Sequence, residues 1–469
     1  MKQTALIIGA GPCGMSAAFE LSRKGVDSLV LEKNSYIGGL ASTLSFAGYK
    51  TDIGPHRFFS KNRYLYEMIE DLLGADWIKV NRLTRFYIRE KFFMYPVDVI
   101  DTLKNLGPAD SFSVMKDYGF QRIKNVFSRP QIRSFEDKVI SDFGRALAEL
   151  NMLNYTEKIW GLPCSQISTD WATQRIKDLS VLEVLKKAMN LGSSKAKTLV
   201  DVFYYPRLGT KTIYEAMRTR ASKAKIMLET CPLELRHEGG RMKSALLSSK
   251  EGKIEVEAEN FISTMPITEL VKIFSPALPA SVLEAASKLK YRSHVSLFMA
   301  INRPSVFKDQ WIYLPDSYIP FGRIMEPKNF SSDLSENGKT SLLLEFFCWY
   351  GDEIWNSDKE KLVELSLPWL GKIFGLSKED VIFSEVHRER FAYPVYDLNY
   401  KENLSIVKEA LASFPNLQPA GRGGAFKYNN QDHAIEMGLL SASNIADGSK
   451  RNIDDVGSEQ AYFEKGYVK

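Results

Sequence analysis

The sequence predicts an α/β fold that contains a mixed β-sheet and a helical insertion. Three observations predict it. An apolar stretch at residues 4–8 leads directly into a glycine-rich turn and then into a helical pattern that starts at Pro12. Apolar residues at helical spacing fill much of residues 66–200, and strand-like runs return over 225–263 and 293–347. Strands that alternate with helices in this way are typical of α/β domains.

The first element is predicted to be a β-α-β unit, with strands at 4–8 and 28–31. The turn between strand and helix carries three glycines, Gly9, Gly11 and Gly14. In a Rossmann-like unit these permit a tight turn, close approach of a pyrophosphate and close packing of helix on strand. Glu32 ends the second strand, where a carboxylate suits the hydroxyls of an adenosine ribose. The alternative is a plain β-turn-α unit without a ligand.

Two further runs favour FAD over NAD as the dinucleotide. Gly38-Gly39-Leu40 lies shortly after Glu32 and would let the longer FAD molecule pass close to backbone. A second glycine-rich run begins at Gly421-Arg422 near the other end of the chain. It continues into Asn430-Gln431-Asp432, which could start a helix aimed at the flavin. We therefore expect FAD to be held between the two ends of the chain.

Composition excludes several classes of function. The net charge of +5 on 469 residues is too mild to indicate nucleic-acid binding. The four cysteines form no CxxC pair, so we expect no zinc site, no other bound metal and no disulfide framework. We also expect a cytoplasmic location. The sequence has no apolar run of about 18 residues, so a spanning helix is not expected, while peripheral membrane contact stays open.

The chain is predicted to divide into interleaved segments. These are the FAD-binding domain at 1–90, 206–290 and 386–448, a mainly helical insertion at 91–205, a β-sheet substrate domain at 291–385, and a polar tail at 449–469.

Several motifs resemble those of the UDP-galactopyranose mutases, especially their eukaryotic-type branch, within the wider amine-oxidase-like flavoprotein superfamily. The resemblance is spread over most of the chain. It is carried by Gly38-Gly-Leu-Ala-Ser, Gly54-Pro-His56-Arg-Phe-Phe59, Tyr95-Pro96, Trp160-Gly-Leu-Pro163 with Arg175, Phe203-Tyr-Tyr-Pro-Arg-Leu-Gly209, Tyr313, Pro320-Phe-Gly-Arg323, Tyr393-Pro394 and the run Gly421 to His433.

This resemblance implies a redox-neutral isomerisation of a nucleotide sugar, with a UDP-hexose as the expected substrate. Such enzymes interconvert the pyranose and furanose forms of UDP-galactose, for use in polysaccharide biosynthesis. They need reduced FAD, with NAD(P)H as a candidate reductant. Flavin N5 attacks the anomeric carbon, UDP leaves, and a sugar–flavin iminium permits ring opening. A homo-oligomer is compatible with this assignment.

The resemblance also assigns roles to individual residues. Arg175 and Arg323 would hold the departing diphosphate, and His56 would lie by the flavin and support proton movement. Arg422 would contact the flavin and stabilise its reduced ring. The aromatic residues that would line the substrate pocket or donate to its phosphates are Phe59, Tyr95, Trp160, Tyr313, Tyr393 and Tyr428. The ordinary alternatives are surface arginines, a packed histidine and core aromatics.

Two other functions remain open on the sequence alone. One is an oxidase or desaturase of the same superfamily that acts on an amine, a porphyrinogen or a polyene, in an apolar or aromatic-caged pocket. The other is a catalytically inactive flavoprotein that serves as a binding module. A mutase that acts on a nucleotide sugar other than UDP-galactose is a further alternative, because Thr156 and Val97-Asp98 depart from the mutase pattern.

Overall fold

The structure is a computed structural model that describes residues 2–95, 105–128, 131–171, 202–336 and 338–457. Two large sheets dominate it, and each is assembled from distant parts of the chain. Arg175 and the pair Val97-Asp98 lie outside the described residues.

The first sheet has eight strands. Its order is β13-β10-β11-β12-β1-β2-β9, and β19 pairs with β12. Strands β12, β1, β2, β9 and β19 run parallel, whereas β10, β11 and β12 form an antiparallel meander. The strands are β1 Lys2–Ile8, β2 Ser28–Leu31, β9 Ala224–Met227, β10 Cys231–Glu238, β11 Arg241–Ser249, β12 Gly252–Ser263, β13 Phe274–Ser275 and β19 Leu417–Pro419.

The second sheet has seven strands in the order β18-β14-β17-β16-β15-β6-β7. All neighbours are antiparallel except β15 and β6. Every residue of the long strand β14 is buried, since this strand crosses the centre of the molecule. The strands are β6 Thr84–Ile88, β7 Lys91–Met94, β14 Tyr291–Ile301, β15 Trp311–Tyr313, β16 Arg323–Met325, β17 Thr340–Cys348 and β18 Val381–Pro394.

Two small ribbons complete the strands, namely β3 Thr43–Phe46 with β4 Tyr49–Asp52, and β5 Trp77–Asn81 with β8 Val202–Pro206. The helices cover the sheets on both sides. They are α1 Pro12–Arg23, α2 Arg63–Leu73, α3 Pro108–Phe127, α4 Phe135–Phe143, α5 Arg145–Leu147, α6 Asn154–Trp160, α7 Lys211–Arg220, α8 Ile267–Leu270, α9 Ala280–Lys288, α10 Glu353–Asn356, α11 Lys359–Phe374, α12 Tyr400–Ala412, α13 Gly421–Gly424 and α14 Gln431–Ala446.

The predicted mixed α/β class is confirmed, and so are β1, α1 and β2 at the start of the chain. The first helix packs against the last one, α14, so the two chain ends do meet. At their crossing the Ser16 hydroxyl donates to the Ile435 carbonyl at 3.0 Å. Gly438 has no side chain there, and a Cβ at this position would collide with Ser16 and with the Cys13 carbonyl.

Two segment boundaries differ from those expected. Residues 84–94, which were assigned partly to the FAD-binding domain and partly to a helical insertion, form β6 and β7 at the edge of the second sheet. The expected boundary at residue 386 falls inside β18, which pairs with β14 along its whole length. In both places strand pairing with residues far away in sequence decides the structure.

Candidate active site

A cavity of about 520 Å³ lies between the two sheets. The carboxyl ends of four parallel strands, β1, β2, β12 and β19, open into it. Gly9, Glu32 and Thr264 directly follow β1, β2 and β12, Gly421 is the second residue after β19, and all four line the cavity. Ligands of open α/β sheets bind at such strand ends, so this edge is the expected nucleotide site.

The glycine turn is built as the sequence predicted. Gly9 adopts a φ of +100°, which favours glycine, and its N–H donates to the Leu31 carbonyl at 2.7 Å. A Cβ on Gly14 would collide with the Gly9 carbonyl, so Gly14 permits the close packing of helix on turn. Gly11 is different, because the nearest atom to its missing Cβ is the Gly39 Cα at 3.8 Å. The space beside Gly11 belongs to the cavity.

Glu32 is fixed by the backbone around it. Its two carboxylate oxygens accept from the N–H groups of Ala10 and Asn34, each at 2.9 Å. Burial raises the pKa of Glu32, and the two N–H donors act against that rise. A carboxylate held in this way at the cavity wall retains lone pairs for ligand hydroxyls.

The Gly38-Gly39-Leu40 run closes over the glycine turn. Gly38 has a φ of +104°, and its N–H donates to the Ala10 carbonyl at 2.8 Å. A Cβ on Gly39 would lie 3.1 Å from the Gly11 Cα, so the two glycines let two backbone segments approach each other. Gly39 and Leu40 line the cavity, whereas Gly38 supports them from behind.

The C-terminal run forms the opposite wall. Gly421 has a φ of +72° and packs against Cys13 of α1. Arg422 donates to the carbonyls of Ala392 and Asn429, at 3.1 and 2.6 Å. Its guanidinium carbon lies 5.3 Å from the ring centroids of both Tyr393 and Tyr428.

Helix α14 starts where the sequence predicted. Asn430 is its N-cap and forms a capping box with His433, and Gln431 accepts from the Tyr214 hydroxyl at 2.8 Å. Asn430 and Gln431 line the cavity, so the positive end of α14 points towards it. Asp432 does not line it. Burial raises the pKa of Asp432 to about 8.

The chemically richest part of the wall is an ion pair on the second sheet. Arg323 and Glu345 are direct cross-strand partners on β16 and β17, and the Nη2 of Arg323 lies 2.7 Å from Oε1 of Glu345. Nε of Arg323 contacts the other carboxylate oxygen. His294 on β14 places Nε2 2.9 Å from Oε1 of Glu345. Burial opposes ionisation of Glu345, but Arg323 and His294 outweigh it and hold its pKa at about 2.

His56 lies beside this ion pair on the loop after β4. Its Nδ1 is 4.0 Å from Oδ2 of Asp52 and has no hydrogen-bond partner among the described residues. Burial, followed by the positive charge of Arg422, lowers the pKa of His56 to about 3. The ring is therefore neutral at pH 7 and presents an unpaired nitrogen in the cavity wall.

Aromatic residues form the rest of the substrate side. Tyr393 stacks on Tyr428 with ring centroids 5.8 Å apart and an interplanar angle of 19°. Tyr313 stacks on Phe86 at 5.0 Å and lies close to Tyr95. Of the predicted aromatics, those that line the cavity are Phe59, Tyr95, Tyr313, Tyr393 and Tyr428.

Trp160 is placed differently from expectation. It is 1% exposed, does not line the cavity, and packs behind Tyr393 and Tyr428 at 6.3 and 6.0 Å. Its position supports the two tyrosines instead of contacting a ligand. The reason is the turn at Gly161, which ends α6 and carries the indole into the core formed with Trp171.

Glu345 and His294 are cavity residues that the sequence did not reveal. Neither residue stands in a recognisable motif, and Glu345 lies within an apolar run. A charged residue in the middle of an otherwise apolar strand is a usable signal, because buried carboxylates are normally paired.

The cavity fits FAD on two observations. The space beside Gly11 would be filled by any Cβ, and the buried Nδ1 of His56 lacks a partner. The residues that would hold the dinucleotide are Gly9, Gly11, Glu32, Gly39 and Leu40 at one end, and Arg422, Asn430 and Gln431 at the other. The fold and the cavity together define a dinucleotide-binding flavoprotein.

Residues 12–446 match the family described as flavin containing amine oxidoreductase, and the chain belongs to that family. It is a flavoenzyme, and its cofactor is FAD. Within the residues that the structure describes, no helix has both the length and the apolar character required to cross a bilayer.

Two curated relatives are similar over long stretches. A pseudooxynicotine dehydrogenase of Pseudomonas sp is 25% identical over 303 residues, which are 61% of this chain and 56% of that protein. An L-amino-acid oxidase of Demansia vestigiata is 21% identical over 332 residues, or 65% and 59% of the two chains. The matched stretches thus span less than two thirds of either relative.

Solved structures match over almost the whole chain. A reduced UDP-galactopyranose mutase superposes with a TM-score of 0.82 at 22% identity and 97% coverage of both chains. A putative protoporphyrinogen oxidase from Exiguobacterium sp. 255-15 gives a TM-score of 0.74 at 17% identity, with coverages of 95% and 99%. Putrescine oxidase bound to putrescine gives 0.65 at 17% identity, with the same coverages. At these identities the likeness concerns the fold.

Proposed function

We propose that this flavoenzyme is a nucleotide-sugar mutase that interconverts the pyranose and furanose forms of a UDP-hexose. The observation that carries the proposal is Arg323, a largely buried arginine in the wall of the cavity whose side chain is 16% exposed. Glu345 balances its charge on one side, and a guanidinium at a cavity wall can bind an anion with its remaining donors. The mutase-like arrangement of the whole chain, with a TM-score of 0.82, supports the same proposal.

Glu345 orients Arg323 and leaves part of it free for a ligand. The carboxylate engages Nε and Nη2, and no further hydrogen bond of this guanidinium is found among the described residues. The Nη1 donors are therefore directed to a substrate. Because a guanidinium fork matches phosphate oxygens, Arg323 would hold the diphosphate and stabilise the charge that grows on it as UDP departs.

The neighbouring residues have complementary tasks. The hydroxyls of Tyr313, Tyr393 and Tyr428 would donate to the same phosphates, and Arg422 would add positive charge close to the flavin. When bound and reduced, FAD supplies the nucleophilic centre for the anomeric carbon. His56 is neutral, so it can accept a proton at its unpaired Nδ1 or donate from the other nitrogen. Arg175 is proposed as a second phosphate ligand on the resemblance alone.

The test is anaerobic chromatography of UDP-galactopyranose after incubation with the purified protein, with and without dithionite. We expect a new UDP-sugar peak in the reduced sample only, because the reaction is redox-neutral but requires the reduced cofactor. If UDP-galactose gives no product, other UDP-hexoses and other nucleotide sugars are tried in the same assay. Absence of any nucleotide-sugar isomer under reducing conditions would refute the proposal.

A second candidate function is favoured by the stacked pair Tyr393 and Tyr428. Two nearly parallel rings at 5.8 Å form an aromatic cage of the kind that suits an amine or polyene substrate. The amine oxidoreductase family and the L-amino-acid oxidase relative agree with an oxidase. This candidate predicts oxygen consumption when amines, porphyrinogens or polyenes are added, and no effect of UDP-sugars on the flavin spectrum.

A further inference from the structure

Helix α3, Pro108–Phe127, exposes its apolar side chains. Phe112, Phe120 and Ile123 are 72%, 67% and 60% exposed, and Val126 and Phe127 at its end are 79% and 86% exposed. The spacing of these residues places them along one broad stripe of the helix. A surface helix normally turns such a stripe to the core, and a large exposed apolar patch marks an interaction site.

Two polar side chains of α3, Asn125 and Asp117, do the opposite and face the protein. Asn125 donates to the carbonyl and to the hydroxyl of Ser141 on α4, at 2.8 and 3.2 Å. Asp117 accepts from the N–H of Ala146 at 2.9 Å. The helix is therefore held in place by polar contacts as well as by the buried Val114 and Tyr118. Its outward apolar stripe is a consequence of this docking, which fixes the helix rotation.

Among the described side chains of α3, the exposed charges all have one sign, and Lys116 lies within the stripe while Arg122 and Lys124 flank it. Lys116, Arg122 and Lys124 are exposed and take part in no ion pair among the described residues. The acidic residue with a described side chain, Asp117, is turned inward. An apolar stripe flanked by lysine and arginine is the pattern of a helix that lies in the plane of a membrane interface.

We propose that α3 is a peripheral membrane anchor that binds anionic phospholipid surfaces, with the apolar stripe inserted between the head groups. Charge decides between the candidate occupants. A second copy of the chain would bring two basic faces together, which costs free energy. Residues 172–201 of the same chain carry six lysines and arginines against three acidic residues, so they share the sign of α3. An anionic bilayer matches both the stripe and the cations beside it.

The experiment is flotation of the full-length holoprotein with vesicles of phosphatidylcholine alone or mixed with phosphatidylglycerol. We expect the protein to float with the mixed vesicles, and to float less at high salt, since salt screens the lysines and arginines. The triple variant Phe120→Ser, Ile123→Ser, Phe127→Ser should weaken vesicle binding by at least about tenfold. Lys116→Gln with Arg122→Gln and Lys124→Gln should remove the preference for the anionic lipid.

The matched control is Ile382→Ser with Leu398→Ser, which removes apolar side chains that are 44% and 49% exposed elsewhere on the surface. This double variant should bind the mixed vesicles as strongly as the unaltered protein does. Bound FAD per protein checks that every variant is folded.

Three outcomes would overturn the proposal. The unaltered protein could fail to float, it could float equally well without phosphatidylglycerol, or the control could lose as much binding as the triple variant. Sedimentation of the protein then shows what covers the apolar stripe. A dimer that the triple variant converts to a monomer assigns the stripe to a second copy, and a monomer throughout assigns it to the chain itself.

Discussion

Arg323 is largely buried and is aligned by one carboxylate, that of Glu345. Replacement by alanine should lower mutase turnover by roughly 10²-fold or more, because the diphosphate loses a charge-stabilising group. Because the change also leaves the buried carboxylate of Glu345 without its counter-charge, turnover is compared per bound FAD. Arg323→Lys should restore little activity, because an ammonium lacks the planar fork. Turnover at the unaltered rate in Arg323→Ala would contradict the assigned role.

Loss of Glu345 should lower the free energy of unfolding. Its pKa of about 2 lies below the ordinary 4.5, so it stabilises the folded state above about pH 4.5, and this contribution is lost as the pH falls towards 2. Glu345→Gln leaves Arg323 buried without its counter-charge, which typically costs roughly 3–5 kcal/mol. Denaturant unfolding at several pH values measures both effects. The control Glu284→Gln, in an exposed pair with Lys288, should change little.

His56 should act through its neutral form. Because its pKa is about 3, the ring does not titrate between about pH 5 and 8, and the rate should show no step from His56 in that range. His56→Ala should lower the activity of the reduced enzyme more than it lowers FAD content. If FAD is lost and the activity per bound FAD is unchanged, His56 has only a packing role.

At the scale of elements, Gly11 and Gly14 belong to the same glycine turn but should respond differently to substitution. Gly11→Val should give a folded protein that binds no FAD, because a Cβ there meets nothing closer than the Gly39 Cα at 3.8 Å and the side chain borders the cavity. Gly14→Val should unfold the protein, because its side chain would collide with the Gly9 backbone. Visible flavin absorbance and circular dichroism of the two purified variants check the difference. A flavin-loaded Gly11→Val would show that FAD does not pass this turn.

Local signals explain which elements could be predicted. The unit β1-α1-β2 and the start of α14 are encoded by glycines, a cap and apolar runs that are adjacent in sequence. Strands β5, β6 and β7 were missed within a stretch interpreted as helical. The partners of β5 and β6, β8 and β15, lie more than a hundred residues away, so these pairings leave no local pattern, and β7 joins the sheet as the hairpin partner of β6.

The same reasoning holds for the site. Gly9, Glu32 and Gly421 could be named from the sequence because each follows a strand in a recognisable motif. Glu345 could not, because it meets Arg323 and His294 only through the register of β14, β16 and β17. Ser296 is the strand partner of Glu345, and His294 lies two residues before it on the same face. Register of this kind is a property of the assembled sheet.

At the scale of the whole molecule, one helix crossing joins the two ends of the chain. Gly438 on α14 lies against Ser16 and Cys13 on α1, and the helix N-termini on both sides of the crossing face the cavity. In the first sheet, β19 pairs with the end of β12. The two residues after β19, Ala420-Gly421, lead into the wall of the FAD site. Folding of the C-terminal run and formation of the cofactor site are therefore expected to be one event.

Gly438→Ala tests this coupling. The added methyl group would collide with the Ser16 hydroxyl and the Cys13 carbonyl, so α1 and α14 must separate, at a cost of about 1–3 kcal/mol for overpacking. Because both helices border the cavity, FAD affinity should fall together with stability, and added FAD should recover part of the loss by mass action. Gly119→Ala is the matched control, since it is also a helical glycine but a Cβ there meets nothing within 4 Å. It should be neutral or slightly stabilising. Unfolding curves with and without FAD measure the coupling, and equal FAD affinity in Gly438→Ala and the unaltered protein would show that the helix crossing and the cofactor site are independent.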